Sequence, residues 1–258
     1  MINIYKKVKV SHALLFIILL SLVSGLFKDV ITLFLIIIIH EIGHVTASLI
    51  FKWKISNITF SITGGYITYD EEIDKPFIEE FIISIAGFFM QLLIFMLSFI
   101  LFKINVIDSN LYYMINNYNI SIFLFNLIPI YPLDGSKILS IFLNIYFPYK
   151  KALKITNILS IIIIIIIILL FIFKYFKIEY SYIMILVFLI KKIYANVKNT
   201  NFMFHKFLFE RYKSPIKVNK YNYVNSSDIN KFKRGCKNFF YIDNYYHSER
   251  SILNKMFD

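Results

Sequence analysis

The chain has 258 residues, 58% of them hydrophobic and 17% charged, with mean hydropathy +0.65 and a net charge of +12. That is too apolar for a soluble domain and points to an all-α polytopic membrane protein. One cysteine, Cys236, excludes an intrachain disulfide, and lipid head groups and membrane topology account for the positive charge without a nucleic-acid partner.

Apolar runs near 20 residues, enough to cross about 30 Å of hydrocarbon, fall at 12–27, 30–51, 77–102, 111–130, 155–173 and 178–190. The first is short and follows Lys6, Lys7 and Lys9. No small-x-small cleavage site follows it, so it reads as a signal anchor rather than a removed signal peptide. Six spans place both termini on one side. With that side inward, 24 of the 28 lysines and arginines lie inside, so both termini are expected in the cytoplasm.

The second run contains His40-Glu41-Ile42-Gly43-His44. On a helix, His40 and His44 project from one face a turn apart, close enough for both imidazoles to bind one Zn²⁺. Glu41 beside them is the expected general base, taking a proton from a metal-activated water and passing it to a leaving amine. Gly43 keeps the crowded turn small. A charged group at mid-bilayer depth costs about 2.5 kcal/mol or more, which favours a functional cluster over a polar helix-packing contact.

Residues 55–69 alternate apolar and polar side chains around Gly64 and Gly65, the pattern of a small membrane-associated β-hairpin. Its edge could pair with an extended substrate, which makes Gly64 and Gly65 candidate substrate-binding positions. A plain connecting hairpin is the alternative.

A two-histidine zinc site needs a third ligand that leaves one position open, and Asp134 is the candidate. It closes the stretch from Asn126 through Pro129 and Pro132 to Gly135, where the prolines break the helix near its end. Freed backbone at that depth suits a watery cavity; a simple Asp-Gly turn is the competing reading. Asn126 is equally suited to bridging helices or to holding a substrate strand. The last segment, 194–258, is basic and aromatic, and its start, 202–211, is amphipathic enough to lie on the membrane surface. His12, His205 and His247 read as interfacial or surface residues.

With both motifs in order, HExxH on one span and Asn-x-x-Pro…Asp-Gly on a later one, the chain resembles the site-2 protease family of intramembrane zinc metalloproteases. The resemblance implies that His40, His44 and Asp134 bind one zinc, that Glu41 is catalytic and that Asn126 lies near substrate. It implies a protease domain over 1–193. Within the family the chain looks most like the sporulation branch, which releases a sigma factor from its membrane-bound precursor. That likeness implies a membrane-associated protein substrate, membrane-protein regulators, a bacterial inner or forespore membrane, and a tail that is a truncated CBS-like module. Where relatives carry Ala-Gly-Pro and a nearby Asn, this chain has Ala86-Gly87-Phe88-Phe89-Met90-Gln91, so the third span is expected to be straighter, with Gln91 replacing the Asn. A membrane metal transporter or a non-catalytic metal-binding scaffold using the same ligands is the alternative function.

Overall fold

The computed structural model describes residues 8–11, 19–61, 64–70, 75–173, 180–214 and 220–258. Within it the chain divides into two compact units, 1–70 with 81–127 and 71–80 with 128–258. Three helices are long and apolar enough to cross a membrane, and this is a membrane protein: α1 (Phe27–Ile50), α2 (Phe77–Lys103) and α5 (Tyr149–Ile172). They match the second, third and fifth expected spans. The fourth and sixth are helical too, as α3 (Ser109–Leu127) and α6 (Tyr180–Lys213), without meeting the same length and hydropathy together. Of the first, residues 19–24 are helical, ending at Gly25, whose φ of +76° suits a residue without Cβ; 12–18, including His12, lie outside the described residues.

In the first unit, each long helix is turned inside out relative to a soluble protein. On α1 the buried face carries His40, Glu41, His44 and Ser48, while Leu35, Ile38, Ile42 and Leu49 are exposed. On α2, Ser84, Gly87, Gln91 and Ser98 are buried, and Phe89, Leu92, Leu93 and Met96 face outward. A hydrocarbon solvent explains the inversion, because apolar side chains lose nothing by facing lipid, while polar ones need protein partners. Gln91 finds its partners on α3: its Nε2 donates to the Asn119 carbonyl at 3.4 Å, and Asn119 Nδ2 donates to the Gln91 carbonyl at 2.9 Å. Ser98 Oγ donates to Asn116 Oδ1 at 3.1 Å, one further bond between the same two helices.

The expected hairpin forms from β2 (Ile55–Ser61) and β3 (Gly64–Tyr69), antiparallel, with Ser61 opposite Gly64 and Phe60 opposite Gly65. A strand that the sequence reading did not anticipate, β1 (Val8–Val10), pairs in parallel with β2, so the sheet order is β1-β2-β3 and β3 is an edge. Three residues are too few to show a period, which is why β1 was illegible.

In the second unit the proline break gives way to α4 (Asp134–Tyr146), and α5 follows after Pro148. The expected boundary at 193/194 falls inside α6, one helix of 34 residues. The amphipathic face of its last turns is largely packed against protein. Phe204, Phe207 and Leu208 are buried with Tyr149 beneath Val224, Phe232, Phe240, Ile252 and Leu253. Those three residues are covered by the chain's own C-terminal module: β4 (Tyr221–Val224) parallel to β5 (Lys237–Ile242), β6 (Tyr245–Ser248) antiparallel to β5, and α7 (Glu249–Phe257). A module of under 40 residues cannot bury enough apolar surface alone, and borrowing the face of α6 supplies it.

Candidate zinc site

His40 and His44 stand on successive turns of α1, with their Nε2 atoms 3.1 Å apart and both rings buried. His44 Nδ1 lies 2.6 Å from the Ile83 carbonyl oxygen on α2. A carbonyl can only accept, so Nδ1 carries the proton and Nε2 keeps its lone pair, the tautomer a metal ligand needs. Two nitrogens each about 2.0–2.1 Å from a tetrahedral ion stand roughly 3.3 Å apart. The observed separation and the donor type therefore fit zinc.

The room for this arrangement comes from glycines. A Cβ on Gly87 would come within 2.5 Å of His44 Nε2 and 2.6 Å of His40 Nε2; a Cβ on Gly43 would come within 2.5 Å of the Ala86 carbonyl oxygen. Gly43 thus keeps α2 close, rather than merely relieving its own turn, and Gly87 leaves the space at the imidazole nitrogens. In the sequence Gly87 stands out only as part of a family pattern, and nothing there places it at the imidazoles. The signal available was the lone glycine of a 27-residue apolar helix.

Glu41 is also buried, and its side chain packs against β3. A Cβ on Gly65 would collide with it, coming within 2.7 Å of the carboxyl carbon. The edge strand therefore passes directly against the expected base, and Gly65 is where it does so; Gly64 is one residue further, at the hairpin end. The strand is tied to the same helix at its other end, where Tyr69 Oη and Ser48 Oγ are 2.7 Å apart, and Tyr69 stacks edge-on to Trp53.

Asn126 is half-buried in the last turn of α3, and its amide makes no hydrogen bond among the described residues. In the second unit, Asp134 is the first residue of α4, buried at 5% exposure, with Oδ1 2.9 Å from Lys137 Nζ. Ahead of it, the loop is held by the Tyr131 amide donating to Ser160 Oγ at 3.1 Å and by the Leu133 amide donating to the Ile130 carbonyl at 2.8 Å. His205 is exposed and His247 half-buried, both on the C-terminal part of the chain.

The family model for peptidase family M50 matches residues 29–107 and 104–170, together more than half of the chain. Stage IV sporulation protein FB of Bacillus subtilis is 28% identical over 245 residues, covering 92% of this chain and 84% of that protein. A zinc metalloprotease of Methanocaldococcus jannaschii is 34% identical over 128 residues, covering 48% of this chain and 37% of that protein. Among solved structures, the site-2 protease of Methanocaldococcus jannaschii superposes with a TM-score of 0.57 at 24% identity, over 73% of this chain and 89% of that one, so the two share a fold.

Proposed function

Because the chain belongs to peptidase family M50, we propose that His40, His44 and Asp134 hold the zinc of this intramembrane endopeptidase and that Glu41 is its general base. One observation carries the reading: two buried imidazoles on one helix face present paired Nε2 atoms, one with its tautomer set by a backbone carbonyl, beside a buried carboxylate. Asp134 is supported by its burial at the first turn of a helix and by its place in the second motif. Zinc at such a site supplies Lewis acidity, acidifying a water and polarising the scissile carbonyl. Glu41 accepts the water's proton and returns it to the departing amide nitrogen. β3, as an edge strand, pairs with the substrate backbone in extended form and delivers it past Gly65 to that carboxylate. Asn126, with its amide uncommitted, steadies the same strand.

Six spans are supported by parity. β1 pairs with β2, which favours an even number of crossings between residue 10 and residue 55; with α1 one of them, the span expected at 12–27 would be the other. Arg234 bonds Glu80 through two contacts of 2.5 and 3.3 Å, and the Tyr149 amide donates to the Phe232 carbonyl at 2.9 Å. Residue 80, residue 149 and the C-terminal module therefore share one side, so α3 returns what α2 crosses and α6 returns what α5 crosses. By the lysine and arginine distribution that side is the cytoplasm. The segment 194–258 is then a basic cytoplasmic module, truncated and CBS-like by resemblance, on a protease domain of residues 1–193.

The substrate is a membrane-associated protein. A sigma-factor precursor of the sporulation type is the first candidate, resting on the likeness to the sporulation branch. The test co-expresses such a precursor with wild type, Glu41→Gln and Asp134→Ala, and quantifies zinc in each purified chain. Glu41→Gln is expected to keep zinc and lose about 10²–10⁴-fold in cleavage, and Asp134→Ala to lose zinc. Undiminished cleavage by Glu41→Gln would remove it as the base. Zinc bound without cleavage of any membrane-tethered substrate would favour the transporter or scaffold reading.

A further inference from the structure

In the second unit, the α4–α5 turn and the segment following β4 border an open cavity of about 660 Å³. Five lysines line it, Lys150, Lys151, Lys154, Lys231 and Lys233, against one carboxylate, Asp228. That carboxylate is already engaged, accepting from the Asn230 amide at 3.0 Å and from Asn230 Nδ2 at 2.8 Å. Two of the lysines bond neutral partners, Lys150 to Asn230 Oδ1 at 2.8 Å and Lys231 to Ser226 Oγ at 3.0 Å. Among the described residues none of the five makes an ion pair. Like charges gathered around one cavity repel, so the site is completed by a ligand carrying concentrated negative charge.

Position narrows its chemistry. Lys150, Lys151 and Lys154 occupy the first turns of α5, and the charge-free stretch of that helix begins at Ile155, with unbroken apolar sequence from Ile161, so the cavity opens at head-group depth. Tyr146, 73% exposed, stands at its rim as an interfacial aromatic. The N-terminal end of α5 adds its positive pole.

We propose that this cavity binds the phosphate head group of an anionic phospholipid. The lipid joins the start of α5 to the C-terminal module, because lysines from both line one volume.

The test uses the full chain in nanodiscs of phosphatidylcholine alone or mixed with phosphatidylglycerol, with native mass spectrometry counting retained lipids. Wild type is expected to retain one phosphatidylglycerol. Lys150→Gln/Lys154→Gln/Lys231→Gln is expected to bind it roughly a hundredfold more weakly, on about fivefold per lysine. The same three positions changed to arginine should keep the lipid, which guards against a folding defect. Lys191→Gln/Lys192→Gln/Lys198→Gln, of equal charge loss outside the cavity, should keep it as well. Equal retention by both glutamine triples overturns the proposal. So does lysine-dependent binding of ATP or inorganic phosphate in pure phosphatidylcholine discs that phosphatidylglycerol does not displace, since the ligand would then be soluble.

Discussion

At the scale of single residues, the zinc site depends on absent atoms as much as on present ones. Gly87→Ala places a methyl group where the two imidazole nitrogens meet. Zinc affinity is expected to fall at least as far as on losing an outer-shell partner, roughly 10–100-fold, readable by competition with a chelating dye. Gly65→Ala is expected to act differently: the nearest atoms to its methyl all belong to Glu41, so zinc content should stay near wild type while the cleavage rate drops. A zinc content that falls as far in Gly65→Ala as in Gly87→Ala would deny the separation between metal and base. The two substitutions thus divide a site that the HExxH spacing presents as one unit.

At the scale of elements, the C-terminal module is clasped rather than tethered. Arg211, at the end of α6 with a side chain 0% exposed, donates to the Cys236 carbonyl at 2.9 Å and pairs with Glu249 at 3.3 Å. Glu249 Oε2 in turn accepts from the Asn238 amide and from its Nδ2, at 2.9 and 3.0 Å. Removing one partner of a buried pair leaves an uncompensated charge, and costs about 3–5 kcal/mol. Arg211→Met is therefore expected to open the module, with limited proteolysis cutting within residues 214–220 far faster than in wild type. A second clasp holds the loop before β5: Arg234 lies over the Phe77 ring at 5.1 Å while pairing with Glu80. It ties the module to the segment leading out of the edge strand β3. Arg234→Ala should loosen that segment, and hydrogen exchange of the 75–80 amides would register it.

At the scale of the whole molecule, the proposed six-span scheme gives every apolar helix a returning partner, including the less apolar α3 and α6. With Cys236→Ser as background, a cysteine at Asn105 and another at Ser226 are expected to label with a membrane-impermeant maleimide from opposite faces of oriented vesicles. Labelling of both from one face would break the six-span scheme. The asparagines that make α3 the least convincing span by hydropathy include Asn116 and Asn119, whose side chains bond α2. They lower the apolar score because they hold helix to helix.

The cluster of His40, Glu41 and His44 was legible in the sequence because it is local: the three lie within two turns of one helix, and helical geometry alone gathers them. The apolar runs were legible for the same reason, since crossing hydrocarbon requires a continuous stretch whose length the bilayer sets. The partner strand of β2, the backbone oxygen that sets the His44 tautomer, the glycine facing the imidazoles and the burial of Phe204, Phe207 and Leu208 were decided only in three dimensions. Each joins residues tens of positions apart through contacts with no period and no motif. An amphipathic face on α6 announces that something apolar covers it; whether lipid or protein does so depends on what the rest of the chain brings to that face.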